Sequence, residues 1–114
     1  MADHQQIRPA KNTKAIDAFP GVVRKLHASG DAITLVSIEV KQDNIVPKHV
    51  HPHEQAGTVI SGRVSIRIGD VTTECGPGDG YYIPGGIEHE VTALEAARLV
   101  EGFTPVREDF LTAE

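Results

Sequence analysis

From Gly21 onward the chain is a series of short runs of alternating apolar and polar residues, cut at close intervals by turn residues. In "RVSIRIGD", Val64, Ile66 and Ile68 fall on one face and Arg63, Ser65 and Arg67 on the other, the period of two expected of a half-buried strand. "VVRKLHA" and "AITLVSIEV" flank Ser29-Gly30-Asp31, a hairpin signal, and "NIVPKHVH" and "AGTVISG" flank a histidine-rich turn. Gly69-Asp70, the stretch from Gly76 to Gly80, and Gly85-Gly86 each lead into a further run, "VTTEC", "YYIP" and "EHEVTAL". Only "ALEAARLVEG" offers a competing helical spacing, and its β-branched content leaves that segment open. Many short strands with turns between them predict an all-β sandwich or barrel.

A chain of 114 residues fits one domain with a single core. Residues 1–20 read as a polar leader and residues 21–114 as the folded domain. The net charge of -5, with no basic block, argues against nucleic acid as a partner, because phosphate binding needs clustered Lys and Arg. No apolar run reaches the length that spans a bilayer, so no membrane association is expected. The N-terminal stretch lacks the apolar segment of a secretory signal, and the single cysteine, Cys75, cannot form an internal disulfide. Both point to the cytoplasm. Cys75 precedes a Gly-Pro-Gly turn and reads as a packing residue.

The chemistry concentrates in "KHVHPHEQAGTVISG", where three histidines, a glutamate and a glutamine crowd together. His49 and His51, two apart, share a face if both lie in a strand. A turn at Pro52 would return Gln55 to the same site from the adjacent strand, and His89, after Pro84-Gly85-Gly86, would close the set from across the barrel. Three imidazoles and one oxygen suit a divalent transition metal with positions left open. His53 sits in the turn and reads as a surface residue. Glu54 is the rival oxygen donor, but a slip of one residue would reverse its face. Neutral donors throughout leave the charge of the ion uncompensated, which favours polarising an anionic substrate over oxygen chemistry.

The spacing His49-x-His51, three residues, Gln55, six residues, Gly62, followed by Gly78, five residues, Pro84-x-Gly86, two residues, His89, resembles the two signature motifs of the cupin superfamily. The resemblance implies a double-stranded β-helix, or jelly-roll barrel. With "SGR", "YIP" and "VEGFTPVREDFL", it narrows to the small single-domain cupins of pectin and alginate breakdown, the KdgF type. That family opens 4,5-unsaturated uronates to linear 5-keto-4-deoxyuronates. The resemblance places its metal ligands on His49, His51, Gln55 and His89, and its active-site Asp, Phe and Arg on Glu101, Phe103 and Arg107. Glu101 here has one methylene more than the family's aspartate. The resemblance thus implies one divalent ion (Ni, Zn, Mn, Fe or Cu) and a small anionic sugar or carboxylate as substrate. The edge strands of a small sandwich, with the leader to cover them, predict a homodimer, as small cupins commonly form. A cupin dioxygenase, another small-molecule isomerase or cyclase, and a ligand-sensing cupin are the alternatives. Tyr81 and Tyr82 alternate faces, so one of the two turns toward the cavity.

Overall fold

The computed structural model describes residues 6–114. One turn of 3-10 helix (Ala10–Asn12) precedes ten strands: β1 (Ala15–Phe19), β2 (Val22–Ser29), β3 (Thr34–Val40), β4 (Ile45–His49), β5 (Glu54–Ser61), β6 (Val64–Ile68), β7 (Val71–Cys75), β8 (Gly80–Ile83), β9 (His89–Ala93) and β10 (Ala97–Thr104). A short helix, α1 (Glu108–Thr112), closes the chain. The strands form a six-stranded sheet, β1-β2-β3-β10-β5-β8, facing a four-stranded sheet, β4-β9-β6-β7. Every neighbouring pair is antiparallel. This is the jelly-roll sandwich that the alternation predicts. Among the described residues no helix is long and apolar enough to cross a membrane.

The core is the set of inward positions that a period of two selects. Val22 and Leu26 on β2, Val36, Ile38 and Val40 on β3, and Val59 and Leu99 meet Val64, Ile66, Val91 and Ala93 of the opposite sheet. Cys75 is free and buried in this cluster, as its packing role requires. "ALEAARLVEG" resolves as the end of β9, a bend over residues 94–96 and the start of β10, along which Ala97, Leu99, Glu101 and Phe103 alternate inward. β10 then lies between β3 and β5, the most enclosed place in its sheet.

Two expectations change. The sheet begins inside the segment assigned to the leader, since β1 pairs with β2 through a Pro20-Gly21 turn in which Gly21 takes φ 73°. The sequence signal is weak there because only Ile16 and Ala18 of β1 turn inward, and both are half-buried. Arg8 Nη1 donates to Glu114 Oε1 at 2.7 Å and Lys14 Nζ to the Glu114 carbonyl at 3.0 Å, tying this segment to the C-terminus. Residues 1–5 lie outside the described residues. The second change concerns the histidine-rich turn. β4 and β5 flank it but belong to different sheets, so the turn crosses the sandwich rather than closing a hairpin.

Candidate metal centre

That crossing inverts the expected geometry. His89 comes from the strand next to His49, with the two residues directly paired between β4 and β9, and Gln55 comes from the opposite sheet. The pairing depends on a bulge: β4 advances three residues from Val46 to His49 while β9 advances two, from Val91 to His89. Val46 and His49 therefore both line the same cavity, although their spacing in a regular strand would place them on opposite faces. Pro47, which has no N–H to give the ladder, lies within this irregularity. His51 falls beyond the end of β4, in the turn itself. It reaches the site without the strand parity that the two-residue spacing suggests. Gly85 lets the two turns meet: a Cβ there would overlap the Pro52 carbonyl, and Gly86 N–H donates to the His51 carbonyl at 2.8 Å.

All three imidazoles are oriented by the same device. Nδ1 of His49 meets the Pro47 carbonyl at 2.8 Å, Nδ1 of His51 the His53 carbonyl at 3.0 Å, and Nδ1 of His89 the Ile87 carbonyl at 2.8 Å. A carbonyl only accepts, so each Nδ1 carries a proton, and in the neutral ring Nε2 is the atom with the lone pair. The ring centroids lie 4.2 to 5.4 Å apart, and one ligand atom from each ring falls within 4.8 Å of the others. His89 Nε2 is buried with no hydrogen-bond partner among the described residues. Burial, reinforced by Arg107 and the other histidines, pushes His51 down to about 4, and burial lowers His89 as well. Converging imidazoles with an unsatisfied buried nitrogen fit a transition-metal ion. Gln55, 5% exposed, presents Oε1 3.1 Å from His51 Nε2, while Glu54 faces out from the same strand. His53 is outside the cluster and contributes its carbonyl to His51.

Glu101 and Phe103 project from β10 into the same cavity, of about 190 Å³, that His49, Gln55 and His89 line. Glu101 is buried in a row that crosses three strands, Glu101 beside Gly57 and Gly57 beside Tyr81. With no side chain at Gly57, the Tyr81 phenol reaches across and donates to Glu101 Oε1 at 2.6 Å. A Cβ at residue 57 would lie 2.5 Å from that hydroxyl. Burial pushes the Glu101 carboxyl up, and hydrogen bonds from Tyr81 and Gln55 pull the other way. Burial, then Glu101, raises the Tyr81 phenol. Tyr81 is thus the inward tyrosine, and Tyr82 is 54% exposed.

Phe103 lies edge-on to His51 at 5.7 Å and to Phe110 at 5.6 Å. Arg107 is buried against the cavity, and one edge of its guanidinium is engaged: Nε donates to Asp109 Oδ1 at 3.0 Å and Nη2 to Oδ2 at 2.8 Å. This ion pair holds Asp109 below the usual carboxylate range. Arg107 thus both lines the cavity and pairs with Asp109. Arg24, Asp109 and Phe110 also line the cavity, and the sequence reading named none of them for the site. The signal for Arg24 was present, since it sits between Val22 and Leu26 on the face that β2 turns to the core.

Comparison with known proteins matches this arrangement to others. The isomerase named H2HPP isomerase of Bacillus subtilis is 33% identical over 100 residues, covering 80% of this chain. The chain spans only 42% of that relative's length. Among solved structures, an RmlC-like cupin from Shewanella frigidimarina superposes with a TM-score of 0.88 at 23% identity, covering 93% of this chain and 96% of the other. KdgF from Halomonas sp. superposes with a TM-score of 0.86 at 24% identity, covering 93% and 98%. The family model described as "Cupin domain" matches residues 34–102, from the start of β3 almost to the end of β10 and through every histidine of the cluster. With the four-stranded sheet, most of the six-stranded one and the whole cluster inside that match, the chain belongs to the cupin family.

Proposed function

We propose that the protein is a metal-dependent, non-redox enzyme that opens 4,5-unsaturated uronate monomers to linear 5-keto-4-deoxyuronates. The observation that carries the reading is the convergence of three proton-anchored imidazoles and Gln55 at one side of a cavity whose wall also presents a buried carboxyl, Glu101. Likeness to KdgF and to an isomerase supports it. His49, His51, Gln55 and His89 would hold one divalent ion, which when bound polarises a substrate oxygen. The reaction is an isomerisation and needs no oxidant. The anomeric hydroxyl loses its proton, the bond from the anomeric carbon to the ring oxygen breaks, and the ring alkene carbon gains a proton. Glu101 is the group placed to move that proton, held in one orientation by the Tyr81 hydroxyl and the Gln55 amide. Phe103 offers an aromatic wall to the sugar, and Arg107 a cation beside it.

In this reading the protein works as a homodimer in the reducing cytoplasm, where the buried Cys75 stays a free thiol. The test is the ultraviolet absorbance of the conjugated alkene in an unsaturated uronate. It is expected to fall on adding metal-loaded protein, and to persist with metal-loaded Glu101→Gln. A steady absorbance with the loaded wild type would overturn the uronate reading.

A further inference from the structure

A guanidinium on the inner face of a sandwich is a costly placement unless something answers its charge. Arg24 occupies such a position. It alternates on β2 with Val22 (1% exposed) and Leu26 (3% exposed), and it lines the same cavity as His49, Gln55, His89 and Glu101. Its guanidinium carbon lies 3.9 Å from the centroid of the Phe110 ring, which holds the side chain against that wall. Among the described residues it makes no hydrogen bond and no ion pair. The acids in its field are Asp109 and Glu114; Glu114 Oε2 is buried without a hydrogen-bond partner, yet no hydrogen bond or ion pair joins it to Arg24. Asp109 gives both oxygens to Arg107, and Glu114 gives Oε1 to Arg8 at 2.7 Å. Arg107 shares the Phe110 ring, also at 3.9 Å, so two cations meet at one aromatic platform with one carboxylate fully spent between them.

We propose that Arg24 is the anion-recognising residue of the cavity, taking the carboxylate of a small-molecule ligand on its unoccupied fork. Arg107, whose Nε–Nη2 edge is taken by Asp109, is then a positioning residue. It braces Phe110 and excludes Asp109 from Arg24. A planar fork with no protein partner matches the two oxygens of a carboxylate, and the ring beneath it fixes the plane in advance. This rests on the proposed uronate chemistry for the identity of the acid, and the recognition itself can be tested without turnover.

The probes are glucuronate, which is saturated and does not react, and glucose, which lacks the carboxylate. Binding of each to metal-loaded protein is followed by ligand-observed NMR, for wild type, Arg24→Met, Arg24→Lys and Arg107→Met, with thermal melting to verify folding. Wild type is expected to prefer glucuronate. Arg24→Met should reduce that preference about 10- to 100-fold, the worth of a hydrogen bond to a charged group, with glucose binding unchanged. Arg24→Lys should recover part of it, since the charge remains and the fork is lost. Two results overturn the proposal: a wild type that does not distinguish glucuronate from glucose, or a preference that survives in folded Arg24→Met and disappears in Arg107→Met. If the preference depends on Arg24 while unsaturated uronate is not consumed by the wild type, the anion site stands and the uronate reaction falls.

Discussion

At the scale of single residues, the glutamine among the candidate metal-site donors finds an explanation that its sequence position alone does not supply. Gln55 presents its oxygen to the histidine cluster and hydrogen-bonds to the buried carboxyl of Glu101, a pairing that an amide can make with both ends. A glutamate would keep the oxygen, lose the donor and bring two carboxylates into contact. Gln55→Glu is therefore expected to hold metal as well as the wild type or better, because an anionic ligand binds divalent ions more tightly. Turnover of unsaturated uronate should drop by about an order of magnitude or more, within what one electrostatic contact contributes. Elemental analysis and the absorbance assay read the two effects separately, and unchanged activity would make the amide incidental. The donor residues were legible because their spacing is a motif. Arg24 was legible only through its spacing from Val22 and Leu26, a weaker signal, because the adjacent cations of "VVRKL" look like the solvent side of a strand until the register shows which face each takes.

Among the elements, the alternation predicted the sandwich, yet not which strands would be neighbours. "NIVPKHVH" and "AGTVISG" look like the arms of a hairpin, and only the partners of β4 and β5 reveal that the turn between them changes sheets. The bulge around Pro47 is similarly invisible to a period-two reading, which breaks down where a strand gains a residue. The edges matter for assembly. β1 and β8 end the larger sheet, β4 and β7 the smaller, and the β7–β8 side carries Val71 at 66% exposure and Tyr82 at 54%. Unpaired edges with apolar side chains favour association, and a twofold pairing closes them without leading to filaments. Light scattering at micromolar concentration is expected to give twice the chain mass of 12.3 kDa. A mass of one chain would remove the dimer from the proposal.

For the molecule as a whole, the placement of the four candidate donors ties stability to metal. His49 and His89 belong to the four-stranded sheet, Gln55 to the six-stranded one, and His51 to the turn that joins them. An ion held by all four would cross-link the two halves of the sandwich at the cavity, where the core is interrupted by an open volume of about 190 Å³. A site built from both sheets does not survive unfolding, so the binding free energy adds to folding. At a free ion concentration about 100 times Kd that is roughly 2.7 kcal/mol. In a domain of this size it corresponds to a rise in Tm on the order of 10 °C. Chelator-treated protein is expected to melt lower by about that amount and to recover on adding back the ion. His51→Ala and His89→Ala should melt at the same temperature with and without metal, whereas His53→Ala, outside the cluster, should keep the full response. A wild type that binds the ion stoichiometrically yet shows no shift would mean that the unfolded chain binds it equally well, and the folded donor set would then not be the site.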